Sequence, residues 1–243
     1  MSVSDVLAMS RRRRALMANA AEEQGPPFAW PPLGDPAAVF DITAVLNGTL
    51  DEKYYECFDQ FLTLNDMGEE AVAVMDTFFD QDNNKITCLY FTENAFITFV
   101  NAQYEAEAIE AECYLPEYGE GMILICGNGE DNLIAVQLYV ESDGTLYVKT
   151  FQEEETADYE SYGIVEVEPL CRVTLRLERC GNRGRVSVRR GGGDLTAAPL
   201  FETTVAGTSP EAFDSVLENF GFGSGIVMMN EATRLVKFAW WLL

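Results

Sequence analysis

The chain has 243 residues, 40 acidic and 16 basic side chains, a formal net charge of −24 and no histidine. A chain without histidine has no Ser-His-Asp or Cys-His relay, no imidazole metal ligand and no histidine pH switch. Its acidity argues against nucleic-acid binding, and its longest apolar runs are too short to predict a transmembrane helix, whereas a hydrophobic content of 48% is enough for a sizeable core.

The first 24 residues predict a helical tail that Ser2 or Ser4 can cap. Four consecutive arginines interrupt its apolar stripe, so the tail cannot bury much surface alone. The apolar run after the arginines is too short for a secretory signal, and we expect synthesis in a reducing cytoplasm. We predict that the tail anchors the chain to a partner surface through Arg11, Arg12, Arg13 and Arg14. A solvated terminus without a partner is the alternative.

Residues 25–36 form a proline-rich linker arm that contains five of the nine prolines of the chain. Proline fixes φ, and a run of prolines favours an extended, stiff spacer. Phe28 and Trp30 lie inside this spacer, and exposed aromatic side chains in a stiff arm indicate docking. We add both residues to the predicted anchor and place the body of the protein at residues 37–243.

The body changes character near residue 85. Before it, residues 39–46 predict a strand, and residues 54–64 and 70–79 are compatible with either strand or helix. After it, short apolar runs alternate with turn signals, which is typical of an antiparallel β-sandwich. The six cysteines form no C-x-x-C pair, so we expect buried free thiols and neither a zinc site nor any other metal or cofactor.

Two hairpins are the clearest elements of this region. Asp143–Gly144 is a two-residue turn between alternating strands, and a turn at residues 181–184 follows the alternating run that begins at Cys171. The last strand, residues 234–243, is apolar on both faces. It must therefore be a central strand or part of a subunit contact.

The order of these pieces over residues 85–243 resembles the concanavalin A-like jelly roll in its laminin-G-like form. The long strand at residues 104–115, the two hairpins and the closing strand carry the resemblance. The Trp-His pair common in that family is replaced by Pro169–Leu170, and the calcium ligands of its calcium-dependent members have no counterpart. The resemblance implies an all-β sandwich and assigns no sugar or calcium ligand. Residues 2–24 also resemble the starts of some tailed-phage structural proteins.

Charge is segregated along the body. Residues 101–168 contain seventeen acidic residues and one lysine, whereas residues 172–190 contain seven arginines and one glutamate. Opposite patches orient subunits in an assembly, so we predict that the basic hairpin binds a partner. Pairing of these arginines with acidic neighbours in the same sheet is the alternative. The predicted partner-binding residues of the hairpin are Arg172, Arg176, Arg183, Arg185 and Arg189.

Glu105, Glu107 and Glu110 resemble the E-x-D-x-x-E signature of laminarinase-like glycoside hydrolases, with glutamate in the middle position. That resemblance implies a nucleophile and an acid/base pair. Acids at nearly every second position of a strand also arise on a solvated face, and we expect this second interpretation to hold.

These features predict a non-enzymatic virion structural or decoration protein of a tailed phage, made in the host cytoplasm, without catalytic residues. Its partners would be other virion proteins and further copies of itself. A glycan-binding lectin-like module and a laminarinase-like glycoside hydrolase are the alternatives.

Overall fold

The computed structural model divides the chain into two compact units, residues 1–32 and 33–243. Of the first unit only Trp30 and Pro32 are described, so the predicted tail helix, Arg11 to Arg14 and Phe28 lie outside the described residues. The described residues are 30, 32–57, 60–65, 70–80, 83–99, 106–127, 133–151, 159–166, 171–181, 183–192, 198–206, 224–228 and 233–242.

The described part of the second unit contains fifteen strands and two short helices. No described helix is long and apolar enough to cross a membrane. In chain order the elements are β1 (Ala38–Asp41), α1 (Ile42–Asn47), α2 (Glu52–Tyr55), β2 (Phe61–Asn65), β3 (Ala73–Phe79), β4 (Lys85–Phe91), β5 (Ala95–Phe99), β6 (Ala106–Tyr114), β7 (Gly119–Gly127), β8 (Leu133–Val140), β9 (Thr145–Phe151), β10 (Tyr159–Glu166), β11 (Arg172–Cys180), β12 (Arg183–Arg190), β13 (Phe201–Ala206), β14 (Gly225–Met228) and β15 (Arg234–Leu242).

The strands form two antiparallel sheets. Sheet A has eight strands in the order β13-β12-β11-β6-β15-β4-β3, with β1 paired to β15 beside this path. Sheet B has seven strands in the order β10-β9-β8-β7-β14-β5-β2. The two sheets enclose one apolar core, so the predicted all-β antiparallel sandwich, consistent with a jelly roll, is confirmed.

Alternation along the strands fills the space between the sheets. In β8 and β9, for example, Leu138, Val140, Leu146 and Val148 all belong to the core and are fully or almost fully buried. Burying each aliphatic side chain of this kind contributes about 1.5–3 kcal/mol to the free energy of folding. The intervening residues therefore point to the opposite, outer face of their sheet.

The C-terminal strand β15 is central, which is one of the two positions that its two apolar faces predicted. It pairs with β6 on one side and with β4 and β1 on the other. Phe238 and Trp240 point into the core, whereas Trp241 lies on the outer face. There Leu33, Leu50 and Tyr54 cover it, together with Val39 and Ala239. The residues around Leu33, Leu50 and Tyr54, which we call the lid segment, thus cover part of the outer face of sheet A.

One expectation for the early body needs correction. The strand predicted at residues 39–46 stops at Asp41, because the carboxylate of Asp41 accepts the backbone N–H of Ala44 (2.9 Å) and caps α1. The helix ends at Gly48, whose φ of 64° is left-handed. The early end of the strand leaves Ile42 buried on the outer side of sheet A.

The cysteines behave as small apolar side chains. All six thiols are free, and Cys88, Cys113 and Cys126 are buried. Burial raises the pKa of Cys126 to about 12 and that of Cys88 to about 11, so both remain protonated at neutral pH.

Candidate functional site

Two outer faces of the sandwich carry polar side chains in ordered arrays. On sheet A, glutamates of β6 and β11 alternate with arginines of β11 and β12, and we call this set the arginine–glutamate ladder. On sheet B, outward residues of β7, β8 and β9 form a second array, which we call the tyrosine face. The ladder consists of Glu110, Glu112, Arg172, Arg176, Glu178 and Arg185, and the tyrosine face of Glu120, Gln137, Tyr139, Tyr147 and Lys149.

The ladder results from strand register. Arg176 of β11 lies opposite Glu110 of β6, and Glu178 of β11 lies opposite Arg185 of β12. Residues directly opposite each other on one face have Cβ atoms about 4.5–5.5 Å apart, within reach of ion pairing. Arg176 Nε and Nη2 lie 2.6 and 2.5 Å from Glu110 Oε2. Register alone therefore brings the opposite charges together.

Glu178 joins two arginines. It pairs with Arg185, and its Oε1 atom lies 3.7 Å from Arg176 Nη1. At the other end of the array Arg172 Nε lies 2.6 Å from Glu112 Oε1, and Glu112 also accepts the backbone N–H of Gly192. Glu110, Glu112 and Glu178 are only 5–7% exposed. Carboxylates this buried need such partners, because an unpaired charge there would cost several kcal/mol.

The arginines also pack on aromatic rings. The guanidinium carbon of Arg176 lies 5.3 Å from the ring centroid of Trp241, and that of Arg172 lies 5.8 Å from the ring of Tyr114. The indole N–H of Trp241 donates to the carbonyl of Gly34 (2.9 Å). Through Trp241 these contacts connect the ladder to the lid segment. The ladder is therefore part of the packed structure that stabilises the fold.

The structure locates the predicted hairpin residues on β11 and β12. Arg172, Arg176 and Arg185 pair with glutamates of their own sheet, which confirms the alternative of intramolecular pairing for these three. Arg183 and Arg189 stand at the two ends of β12. Contact of the hairpin with a partner remains a prediction, as does the anchor, of which only Trp30 is described.

The carboxylate triplet is divided. Glu105 lies outside the described residues, Glu107 is partly buried, and Glu110 is buried in the ladder. The expectation that this run is a solvated strand face is therefore wrong for Glu110. Its charge is held by Arg176.

The centre of the tyrosine face lies on two hydrogen-bonded strands. Tyr139 of β8 is directly opposite Tyr147 of β9, and Gln137 is opposite Lys149. The Nζ atom of Lys149 lies 3.7 Å from the ring centroid of Tyr139. Both tyrosines are partly exposed, and the ammonium group of Lys149, also partly exposed, is a donor beside them, whereas Gln137 is buried with 5% of its surface exposed.

The neighbouring strands leave room beside the pair. Glu120 of β7 lies opposite Tyr139 and is exposed, and Gly163 of β10 lies opposite Tyr147. A glycine places no side chain against the ring. The tyrosine face is thus a partly solvent-exposed surface with two aromatic rings at its centre.

Sequence reasoning located this hairpin and its inward residues but did not single out the outward ones. The signal was present, since Tyr139 and Tyr147 stand four residues before Asp143 and three after Gly144, a spacing that pairs them across the turn. The alternation was used there to find the core. Among the described residues no group of three or more Cys, Asp or Glu side chains is arranged to hold a metal ion.

No protein-family model matches the chain, and no curated protein matches it by sequence. Solved structures with a similar fold include a carbohydrate esterase of the Shiga toxin-encoding bacteriophage phi24B, with 11% identity over 74% of this chain and 96% of that chain (TM-score 0.47). The enzymatically active domain of tailspike protein 2 of bacteriophage CBA120 matches with 10% identity over 73% of this chain and 28% of that chain (TM-score 0.44). The carbohydrate-binding module CBM66 from Bacillus subtilis matches with 12% identity over 70% and 91% (TM-score 0.37).

These similarities concern the fold and correct one expectation. The sequence predicted a non-enzymatic protein, and that exclusion is wrong, because structures with this kind of sandwich include proteins described as enzymes. The resemblance to a jelly-roll sandwich holds at the level of the fold. The laminin-G-like form and the phage-like start of the chain remain predictions.

Proposed function

We propose that this protein binds a glycan and that the tyrosine face holds the sugar. The observation that carries the proposal is the Tyr139–Tyr147 pair, which lies on the outer side of sheet B with polar side chains on both flanks. A sugar ring presents C–H groups on its faces and hydroxyl groups around its edge. A site for it needs aromatic surface together with a few hydrogen-bonding groups in fixed positions.

Each part of the face has a role in this arrangement. Tyr139 and Tyr147 supply two adjacent rings at low conformational cost, and their hydroxyl groups can donate or accept. Lys149 supplies a donor next to the rings, and the exposed Glu120 supplies an acceptor. The hydrogen-bonded backbone of β7, β8 and β9 holds all of them in fixed positions, as a site of defined geometry requires.

The charge of the protein narrows the class of glycan. A net charge of −24 repels acidic sugars at long range, although salt screens this over about 8 Å. Lys149 is a single cation on the face, and its ammonium group stands over the ring of Tyr139. We therefore propose a neutral glycan as the ligand.

A glycan array with the full-length chain tests this proposal. We expect binding to one or more neutral glycans, and at least a tenfold loss of affinity in Tyr139→Ala/Tyr147→Ala, equivalent to about 1.4 kcal/mol. Tyr118→Ala is the matched control, because Tyr118 is 68% exposed on the β6–β7 turn, outside the face. Equal binding by all three proteins would refute the proposed site. The same samples are assayed for release of reducing ends and of acetate, which reveals any cleavage or deacylation of the bound glycan.

We also propose that the glycan-binding body is displayed on a tailed-phage particle. The composition of the first 32 residues supports this setting, since they contain four consecutive arginines and four of the nine prolines and form a unit separate from the body. Their charge of +1 contrasts with about −25 for the remainder, so this segment is suited to contact an acidic scaffold.

Particle incorporation tests the setting independently of sugar binding. Replacing Arg11 to Arg14 by alanine, or Trp30→Ala, should lower the amount of protein in purified particles at least severalfold and leave glycan affinity unchanged. Absence of the wild-type chain from particles, shown by mass spectrometry, would refute the particle setting and leave the tyrosine face untouched.

A further inference from the structure

A cavity of about 230 Å³ lies between the two sheets at the edge where β2 and β3 end the sandwich. Sheet A contributes side chains from β1, β3, β4 and β15, and sheet B contributes side chains from β2 and β5. The lining residues are Phe40, Phe61, Thr63, Ala73, Leu89, Phe91, Ile97 and Phe238. The cavity therefore belongs to the interior of the fold and is separate from the tyrosine face on β7, β8 and β9.

The wall of this cavity is apolar. Seven of its eight lining side chains are hydrocarbon, and the eighth, Thr63, uses its hydroxyl proton in a hydrogen bond to the carbonyl of Ala71 (3.3 Å). The lining side chains thus present no N–H or O–H donor to a ligand. A charged or strongly polar molecule would lose its hydration there without compensation.

The aromatic rings of the wall have a defined arrangement. Phe61 meets Phe238 edge to face, with ring centroids 5.0 Å apart, and Phe40 stacks on Phe238 at 5.1 Å. Such arrangements add about 0.5–1.5 kcal/mol per pair beyond the burial of area. A further ring in the cavity would extend this cluster.

The volume of the cavity and its opening to solvent are suited to a ligand with one small ring system. An apolar protein cavity of about 150 Å³ stays dry and accepts benzene, so the larger volume here accommodates a bicyclic ring. Ala73 stands on the edge strand β3, is exposed and has a small side chain, which opens the cavity to solvent beside it. Beyond it on β3, Met75 is 59% exposed, and this continues the apolar wall outward.

We propose that this cavity is a binding site for a small, uncharged aromatic molecule of about the size of indole. The volume, the donor-free wall and the edge-to-face cluster of phenylalanines each point to that class of ligand. The proposal is independent of glycan binding, because the two sites share no residue.

Indole itself is the probe. Isothermal titration of the full-length chain should show binding, and indole should raise the melting temperature in a concentration-dependent manner. Ala73→Phe fills the cavity from sheet A's edge strand and should weaken indole binding at least tenfold. Thr77→Phe is the matched control, since Thr77 lies on the same strand and outside the cavity lining. It should bind indole like the wild type.

Two further measurements keep the inference open to refutation. Leu89→Phe narrows the cavity from β4 and should reproduce the loss if the phenylalanine at position 73 turns outward. Indole-3-acetate, which carries a charge, should bind at least tenfold more weakly than indole. The inference fails if the wild type does not bind indole at millimolar concentration, or if both cavity variants bind it as well as the Thr77 control.

Discussion

The outer faces of the two sheets use polar residues in opposite ways. On sheet A the three glutamates of the ladder are buried and each pairs with an arginine of the next strand, so their charges are compensated within the protein. On sheet B two tyrosines stand side by side, partly exposed, with the partly exposed ammonium group of Lys149 beside them. Polar groups that pair with other groups of the protein stabilise and orient the fold. Polar and aromatic groups that remain exposed to solvent are available to a ligand.

The comparison predicts that equal truncations on the two faces have different consequences. Changes on sheet A should alter the free energy of unfolding and leave ligand binding intact. Changes on the tyrosine face should alter binding and leave stability nearly intact. Four substitutions test this division, from the largest expected effect to the smallest.

Trp241→Ala should cost about 3–5 kcal/mol of unfolding free energy, because it removes a buried ring that Arg176 packs on and the hydrogen bond to Gly34. Urea denaturation measures the loss. Trp241→Phe keeps most of the ring and should cost about 1 kcal/mol for the hydrogen bond. Glycan affinity of the folded protein should be unchanged in both variants, and a parallel loss of affinity would contradict the division between faces.

Glu178→Gln should destabilise the protein by about 2 kcal/mol, because two arginines lose a buried partner. This is below the 3–5 kcal/mol of a fully buried pair, since Arg176 and Arg185 keep about a quarter to a third of their side chains in water. Glu202→Gln on β13 is the control, an exposed carboxylate that should change stability by less than about 0.5 kcal/mol. Equal effects of the two substitutions would show that the ladder contributes nothing.

Lys149→Met should lower glycan affinity severalfold and cost about 0.5–1 kcal/mol of stability, because it removes the ammonium group from the ring of Tyr139. Lys53 provides a matched case on the other side of the molecule. Its Nζ atom lies 4.7 Å from the ring centroid of Tyr54, and Lys53→Met should leave glycan affinity unchanged. A similar affinity loss in both would indicate a general charge effect in place of a local one.

The smallest effect concerns the turn that joins β8 and β9 of the tyrosine face. The backbone N–H of Thr145 donates to the carboxylate of Asp143 (2.9 Å) and lowers the pKa of that group. A lowered pKa in the folded state stabilises the protein above the unfolded-state pKa near 4, and this contribution is lost as the pH falls through the folded-state value. The stability difference between wild type and Asp143→Asn should therefore be larger at pH 7 than at pH 3. A difference that does not change with pH would contradict this assignment.

The sequence predicted much of the framework because the framework follows period and turn chemistry. Alternation over β8, β9, β11 and β12 identified the inward residues. Asp143–Gly144 identified the position of the turn, where Gly144 has a φ of 82°, but Glu141 and Thr145 close a loop of three residues and not the predicted two. The two apolar faces of β15 predicted either a central position or a subunit contact, and the strand is central. By contrast, β13 and β14 were not recognised, because four to six residues with neighbours far away in the chain carry little local signal.

The candidate sites divide in the same manner. Local sequence determined which residues of each hairpin face away from the core, since side chains on a strand alternate with a period of two. Only the tertiary structure decided which strands became neighbours, and these neighbours determine which arginine pairs with which glutamate. Pairing of β11 with β6 brought Arg176 to Glu110 from 66 residues away, so this arginine forms an ion pair within its own sheet. The cavity likewise depends on six strands meeting at one edge, and long-range packing of that kind leaves no pattern in the sequence of any single strand.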